Sequence, residues 1–257
     1  MPNRPYESLV GDQFGSRAGA YLTSAPHAQG PDLEELAGLA RNRPQASVLD
    51  LGCGAGHVSF AVAPHVRSVV AYDLSPEMLD VVTRAATERG LHNIATRQGA
   101  AERLPFADGA FEGVFSRYSA HHWDDFDAGL REAVRVLEPG GFAAFVDTVS
   151  PGSALLDTHL QAIEVLRDPS HVRSRSRAEW EQALVHAGLV PGATRPYRLR
   201  LDFASWIERM RTPELQRDAI RALQSAMSDR VARYFAIEPD GSFTIDVALF
   251  VAAKPAT

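Results

Sequence analysis

The sequence predicts an α/β fold around a mostly parallel sheet, and three observations predict it. Across residues 46–150, short β-rich runs alternate with helical ones, the pattern of strands joined by crossover helices. The first of these runs ends in a glycine-rich turn that leads straight into a helix. The chain's 257 residues, 45% hydrophobic and 23% charged, supply a core of ordinary size with no need of a disulfide or metal.

The elements follow in order. Ser47-Val48-Leu49-Asp50-Leu51 reads as the first buried strand and Gly52-Cys53-Gly54-Ala55-Gly56 as its turn, with a helix over about 57–66. The second strand covers 68–73. Ser75 and Pro76 then make an N-cap and first helical position, ahead of Leu79, Val82 and Ala86 at helical spacing. The third and fourth strands cover 94–98 and 113–116. A helix striped by Leu130, Ala133, Val134 and Leu137 stops at Pro139-Gly140-Gly141, before a fifth strand over 142–147. Ser176 and Glu179 form a capping box ahead of Trp180, Leu184 and Ala187, with Gly188 as the stop. A strand over 198–202 and a long last strand over 243–251 bracket two amphipathic stretches. One domain over 1–257 is expected: a helical cap at 1–45, a core at 46–150, and a C-terminal half at 151–257 with a helical lid inserted over about 203–240.

Composition removes several classes of function. A net charge of −6 argues against broad electrostatic binding to nucleic acid, and Arg167, Arg173, Arg175 and Arg177 read first as solvated residues at a helix entry. The lone cysteine, Cys53, gives neither a disulfide nor a zinc cluster, which suits a reducing, cytoplasmic compartment. No apolar run approaches the ~20 residues of a membrane span, and the first 22 residues hold no signal-peptide run. Oligomeric state is not legible.

Three features carry the chemistry. Asp50-x-Gly52-x-Gly54-x-Gly56 follows a strand and precedes a helix, where glycines let a ligand approach main-chain N–H groups. Asp73, at the tip of the second strand, can accept both hydroxyls of a ribose; the lesser alternative is that it simply caps the helix after Ser75. After the third strand comes Gly99-Ala100-Ala101-Glu102-Arg103-Leu104-Pro105-Phe106. Together these resemble the class I S-adenosylmethionine-dependent methyltransferases, in the branch of the ubiquinone/menaquinone C-methyltransferases and the biotin-pathway carrier-protein methyltransferase. Within that branch, Ser116-Arg117-Tyr118-Ser119-Ala120-His121-His122-Trp123 and Leu166-Arg167-Asp168-Pro169-Ser170-His171-Val172-Arg173 resemble the YafE-like proteins.

The resemblance implies a Rossmann-like methyltransferase fold with an antiparallel last strand, and S-adenosylmethionine as cofactor. Gly52, Gly54 and Gly56 would hold its methionine part, with Cys53 in the same loop and Asp50 orienting the turn. Asp73 would take the ribose hydroxyls and Leu74 would pack on the adenine, with Met78, Ala100, Ala101 and Glu102 as further neighbours. Ala100 stands where many relatives have an aspartate, so one side-chain hydrogen bond to adenine should be missing. Ser116 and Arg117 would lie beside the amino-acid portion. The stretch over 13–21 resembles a leading helix that folds over the cofactor, with Tyr21 and His27 shielding the sulfonium.

Methyl transfer needs a dry cavity and a deprotonated nucleophile held in place, which alone can supply about 7–11 kcal/mol. Candidate bases are His121, His122 and then Asp147, each also readable as structural. His171, Arg173 and Trp206 are candidate substrate contacts. The turn after the fourth strand is not the Pro-Pro-aromatic type of nucleobase amino-methylation, and Cys53 is misplaced for cytosine C5 chemistry. A small or carrier-bound molecule is the expected substrate. Two rivals remain open here: a nicotinamide oxidoreductase, disfavoured by the missing third glycine and a single lysine, Lys254, and a non-catalytic adenosylmethionine-binding protein.

Overall fold

A strand in the middle of a parallel sheet must be apolar on both faces. In the computed structural model, which describes residues 6–15, 22 and 30–256, β1 (Ser47–Leu51) is such a strand, buried along 48–51. β2 (Ser68–Asp73) and β4 (Phe111–Arg117) flank it, both parallel. β3 (Ile94–Gln98), β5 (Leu137–Val149), β6 (Val190–Leu201) and β7 (Phe243–Ala253) complete one seven-stranded sheet in the order β3-β2-β1-β4-β5-β7-β6. β7 runs antiparallel to both its neighbours, as the resemblance implied, and every other pairing is parallel. Strand order reverses at β1, so a crevice opens at the carboxyl ends of β1 and β4, where open α/β sheets bind ligands.

Helices α1 (Tyr6–Gly15) and α2 (Pro31–Arg41) precede the sheet; α3 (His57–Val62), α4 (Pro76–Glu88) and α5 (Phe126–Val136) make the crossovers. α6 (Ala154–Arg167) and α7 (Arg177–His186) come before β6. α8 (Phe203–Met210), α9 (Glu214–Ala226) and α10 (Asp229–Tyr234) occupy the insertion between β6 and β7. One core cluster packs Leu36, Val58, Val62, Phe115 and Trp206; a second packs Leu49, Leu51, Leu130, Phe145 and Trp180, and a small third packs Ala55, Met78 and Val81.

Local chemistry explains both agreements and departures. Ser75 Oγ accepts from Met78 N, and Ser176 and Glu179 close a reciprocal capping box, as expected. The helix after the glycine turn ends earlier than expected, at Val62, and passes into a 3₁₀ turn over Ala63–His65, because Pro64 lacks the N–H that would continue it. β5 begins at Leu137, so Pro139-Gly140-Gly141 lies inside a strand rather than ending a helix. There Gly140 N donates to Lys254 O and Lys254 N donates to Gly141 O. β6 is longer than expected because Pro191 and Pro196 obscure its pattern. At the sheet's edge a proline leaves no partner strand wanting.

Inside α6 sits a histidine in an apolar setting. His159 is 4% exposed, its ring lies 5.1 Å from that of Phe235, and neither ring nitrogen has a partner among the described residues. Burial lowers its pKa below the ordinary 6.5. Below that pH the unfolded chain binds a proton that the folded protein refuses, so stability falls as pH drops. His159→Leu is expected to raise stability by about 1–2 kcal/mol at pH 7. It should also flatten the acid slope by up to about 1.4 kcal/mol per pH unit below 6.5. Urea melts at pH 7 and pH 5 check this; an unchanged slope would mean that His159 is protonated in the fold.

Candidate active site

The tip of β1 is tied to β2 by its own backbone: Gly52 N and Cys53 N both donate to Tyr72 O, at 2.8 and 3.0 Å. Two glycines are needed for different reasons. Gly52 has φ +70°, and a Cβ there would lie 1.8 Å from Ser119 Oγ. Gly54 has φ +50° with nothing within 4 Å of an added Cβ, so its open side faces a cavity that a side chain would fill. Gly56 caps α3 and packs against Phe60 and Val82; it does not line the cavity.

Two carboxylates frame this turn. Asp50 is 1% exposed; its Oδ2 accepts from Ser59 N at 2.9 Å and Ser59 Oγ at 2.6 Å, while Oδ1 has no partner among the described residues. Burial, opposed by the Ser59 bonds, pushes its pKa up to about 7. Asp73 accepts from Gly54 N at 2.8 Å through Oδ2 and from Ser75 N at 2.9 Å through Oδ1, so it both anchors the loop and caps α4. Burial raises its pKa, against those bonds. Each oxygen retains a lone pair for a further donor.

Asp50, Gly52, Cys53, Gly54 and Asp73 line a cavity of about 370 Å³. Leu74, Met78, Ala100, Ala101, Glu102 and Arg117 line it as well. Burial raises the Cys53 thiol well above its ordinary pKa, so it is no thiolate nucleophile. Ser116 lies inside the sheet, 2% exposed, and lines neither cavity described here. Tyr21 and His27 fall outside the described residues. The roof is α1, which sequence reasoning had not resolved residue by residue: Tyr6, Glu7, Val10 and Phe14 line the cavity. Tyr6 Oη donates to the carbonyls of His122 and Ser170, clasping α1 to the site.

A second chamber, about 80 Å³, shares Phe14, Tyr118 and His122 with the first. Tyr118, the residue after β4, adopts φ +53°, a left-handed conformation uncommon for a bulky side chain and frequent at functional sites. The three histidines of this region behave differently. His121 lines the chamber, with Nδ1 2.5 Å from Asp147 Oδ1. Burial favours its neutral ring, but the Asp147 charge and hydrogen bond outweigh burial and raise its pKa. His122 donates from Nδ1 to Ser170 O at 2.9 Å, and burial, then His121, pushes its pKa down to about 4. His171 lines neither cavity. Its Nε2 lies 2.8 Å from Gln161 Oε1, and burial followed by its histidine neighbours pushes its pKa down to about 2.

Arg173 is at the surface, with Asp157 and Glu179 at 3.4 and 3.3 Å, and also lines neither cavity; its charge is committed to these ion pairs. Trp206, from the inserted α8, does line the chamber. The buried charged side chains there, Glu164 and Asp168, escaped sequence reasoning. One signal was available: Glu164 falls on the apolar stripe of α6 with Leu156, Leu160 and Ile163.

Comparison with known proteins bears on this geometry. Residues 49–145 match the family described as "Methyltransferase domain". The Escherichia coli (strain K12) protein YafE is 50% identical over 205 residues, spanning 80% of this chain and 99% of that one. The Bacillus subtilis (strain 168) methyltransferase YcgJ is 35% identical over 224 residues, 87% of this chain and 88% of YcgJ. Its crystal structure superposes with a TM-score of 0.84, at 33% identity, covering 87% of this chain and 98% of that one. A demethylmenaquinone methyltransferase of Listeria monocytogenes (serotype 4a, strain HCC23) is 36% identical over 121 residues, 46% of this chain and 51% of that one.

Proposed function

Since this chain belongs to the class I S-adenosylmethionine-dependent methyltransferases, we propose that its larger cavity binds that cofactor and its smaller chamber the methyl acceptor, a small or carrier-bound molecule. The observation that carries the reading is Asp73, whose carboxylate is pinned by Gly54 N and Ser75 N at the edge of the cavity beneath the glycine turn. The residues fit the group. Gly54 leaves a cradle that a Cβ would occupy, Asp73 suits a ribose diol, and Asp50 Oδ1 is a buried acceptor with no donor among the described residues. Leu74 and Met78 offer an apolar bed to an adenine, and Arg117 a cation to a carboxylate.

When bound, the cofactor supplies an electrophilic methyl group on a sulfonium. The chain's own part is to exclude water, which α1 does through Phe14 and the Tyr6 clasp, and to manage a proton. His121, oriented by Asp147 and facing the chamber, is the group to take one from the acceptor. His122 and Trp206 line the acceptor's side. The three arginines clustered at the start of α7 are engaged: Arg173 as above, Arg177 with Glu181 at 2.8 Å, and Arg175 over the Phe126 ring at 3.8 Å. That supports a substrate other than nucleic acid. No helix among the described residues is long and apolar enough to cross a membrane, and the single cysteine suits a cytoplasmic location.

Calorimetric titration of the protein with S-adenosylmethionine, its demethylated product and NAD tests the reading. The first two are expected to bind and NAD to give no heat; binding of NAD alone would overturn it.

A further inference from the structure

We propose, resting on the reading that the small chamber receives the methyl acceptor, that this chamber is built for a primary amine, which donates one N–H to Asp168 Oδ2 and another to His122 Nε2. Asp168 is 1% exposed and lines the chamber; its Oδ1 accepts from Ser170 N at 2.9 Å and Ser170 Oγ at 2.6 Å. Its Oδ2 has no hydrogen-bond partner among the described residues. A buried carboxylate oxygen in that state is costly unless a donor reaches it.

The facing group is also an acceptor. His122 Nδ1 has the Ser170 carbonyl as its partner, and a carbonyl only accepts. The nearby Ser170 hydroxyl directs its own proton to Asp168. Nδ1 therefore carries the ring proton, and Nε2 presents a lone pair while the ring is neutral. Nε2 and Asp168 Oδ2 stand 4.0 Å apart, too far for a direct hydrogen bond.

A heavy atom at hydrogen-bond distance from both would subtend about 90° between them, within the tolerance of a tetrahedral nitrogen. It must bring two protons. A hydroxyl brings one and leaves an acceptor unsatisfied; a carboxylate brings none and adds a like charge. An amino or ammonium group satisfies both. The other charges facing the chamber are Glu164, Arg167 and Arg209. Arg167 is turned toward the Trp206 carbonyl, at 3.1 Å, and Glu164, at 3.5 Å. Leu199, Leu201 and the Trp206 ring offer the short apolar stem of such an amine a surface to pack on.

The arrangement also sets the order of events. An ammonium gives one proton to His121, whose ring Asp147 holds. The neutral amine keeps two N–H bonds, directed at Asp168 and His122, and gains the lone pair that attacks. The N–C bond then forms as the C–S bond breaks, the electron pair of that bond stays on sulfur, and the products are a methylated ammonium and a neutral thioether. His121 later releases its proton to solvent.

The test reads binding, not turnover. The protein, saturated with the demethylated cofactor product, is titrated at constant ionic strength with ethylamine hydrochloride, ethanol or sodium propionate while the ¹⁵N resonance of His122 Nε2 is followed. Ethylamine is expected to shift that resonance saturably and to bind at least tenfold more tightly than ethanol or propionate. Asp168→Asn should cut its affinity about tenfold and leave cofactor affinity unchanged. An equal response to ethanol, which a bridging water alone would give, a preference for propionate, or no saturable response to ethylamine would overturn the proposal. The wild-type comparison decides even if the variant does not fold. Calorimetry of the cofactor product on the same sample separates this failure from failure of the cofactor reading.

Discussion

Asp73→Ala is expected to weaken binding of S-adenosylmethionine roughly 10- to 150-fold, and of its demethylated product equally, because the ribose is common to both. The magnitude is that of a lost charge-assisted hydrogen bond in a buried site, about 1.5–3 kcal/mol, at 1.4 kcal/mol per tenfold. Two effects add in the same direction. The carboxylate is the partner of any ribose hydroxyls placed there, and it also holds the turn, since Gly54 N and Ser75 N both donate to it. Asp73→Asn separates them. An amide oxygen can keep one backbone donor, but the amide has no charge to offer a diol, so this variant should retain more of the fold's stability than alanine while still losing most of the affinity. Calorimetry on both variants checks the expectation. A loss smaller than twofold would place the ribose elsewhere, and with it the whole orientation of the cofactor.

The half of the site proposed to hold the nucleoside was legible in the sequence because its determinants are local. Asp50, Gly52, Gly54 and Asp73 lie at strand ends that periodicity finds unaided, and each turn residue carries a backbone requirement that few residue types meet. The smaller chamber is assembled differently. His121 follows β4, Asp147 belongs to β5, Glu164 to α6 and Trp206 to α8, and only the sheet order and the inserted helices bring them together. The histidine pair was visible as a candidate, but its division of labour was not. Asp147 raises the proton affinity of His121, whereas His122, bonded to a carbonyl, has its own lowered. That difference depends on what each ring nitrogen faces, which no spacing in the chain encodes. Arg173, readable from the sequence either as a helix-entry residue or as an anion contact, has Asp157 and Glu179 at 3.4 and 3.3 Å, partners that its position in the chain does not announce.

Asp32→Ala is expected to destabilise the fold by about 3–5 kcal/mol, because it removes the carboxylate ion-paired with a buried guanidinium. Arg117 Nε donates to Asp32 Oδ2 at 2.6 Å, with side chains 4% and 7% exposed, and the guanidinium also lies 4.7 Å from the Tyr118 ring centroid. Asp32 sits in the first turn of α2, where a carboxylate is favoured by the helix dipole as well, so alanine loses on both counts. The pair is not thereby a net source of stability, because burying two charges offsets most of their attraction. Its effect is positional: it holds a cation at the wall of the larger cavity, where Arg117 faces the turn after β1. The double replacement of Asp32 by Ala and Arg117 by Met should therefore recover most of the stability while leaving cofactor affinity impaired. Urea melts read the first quantity and calorimetry the second. If the single substitution cost less than 1 kcal/mol, Arg117 would owe its position to other partners; if the double variant bound the cofactor normally, the arginine would have no part in holding it.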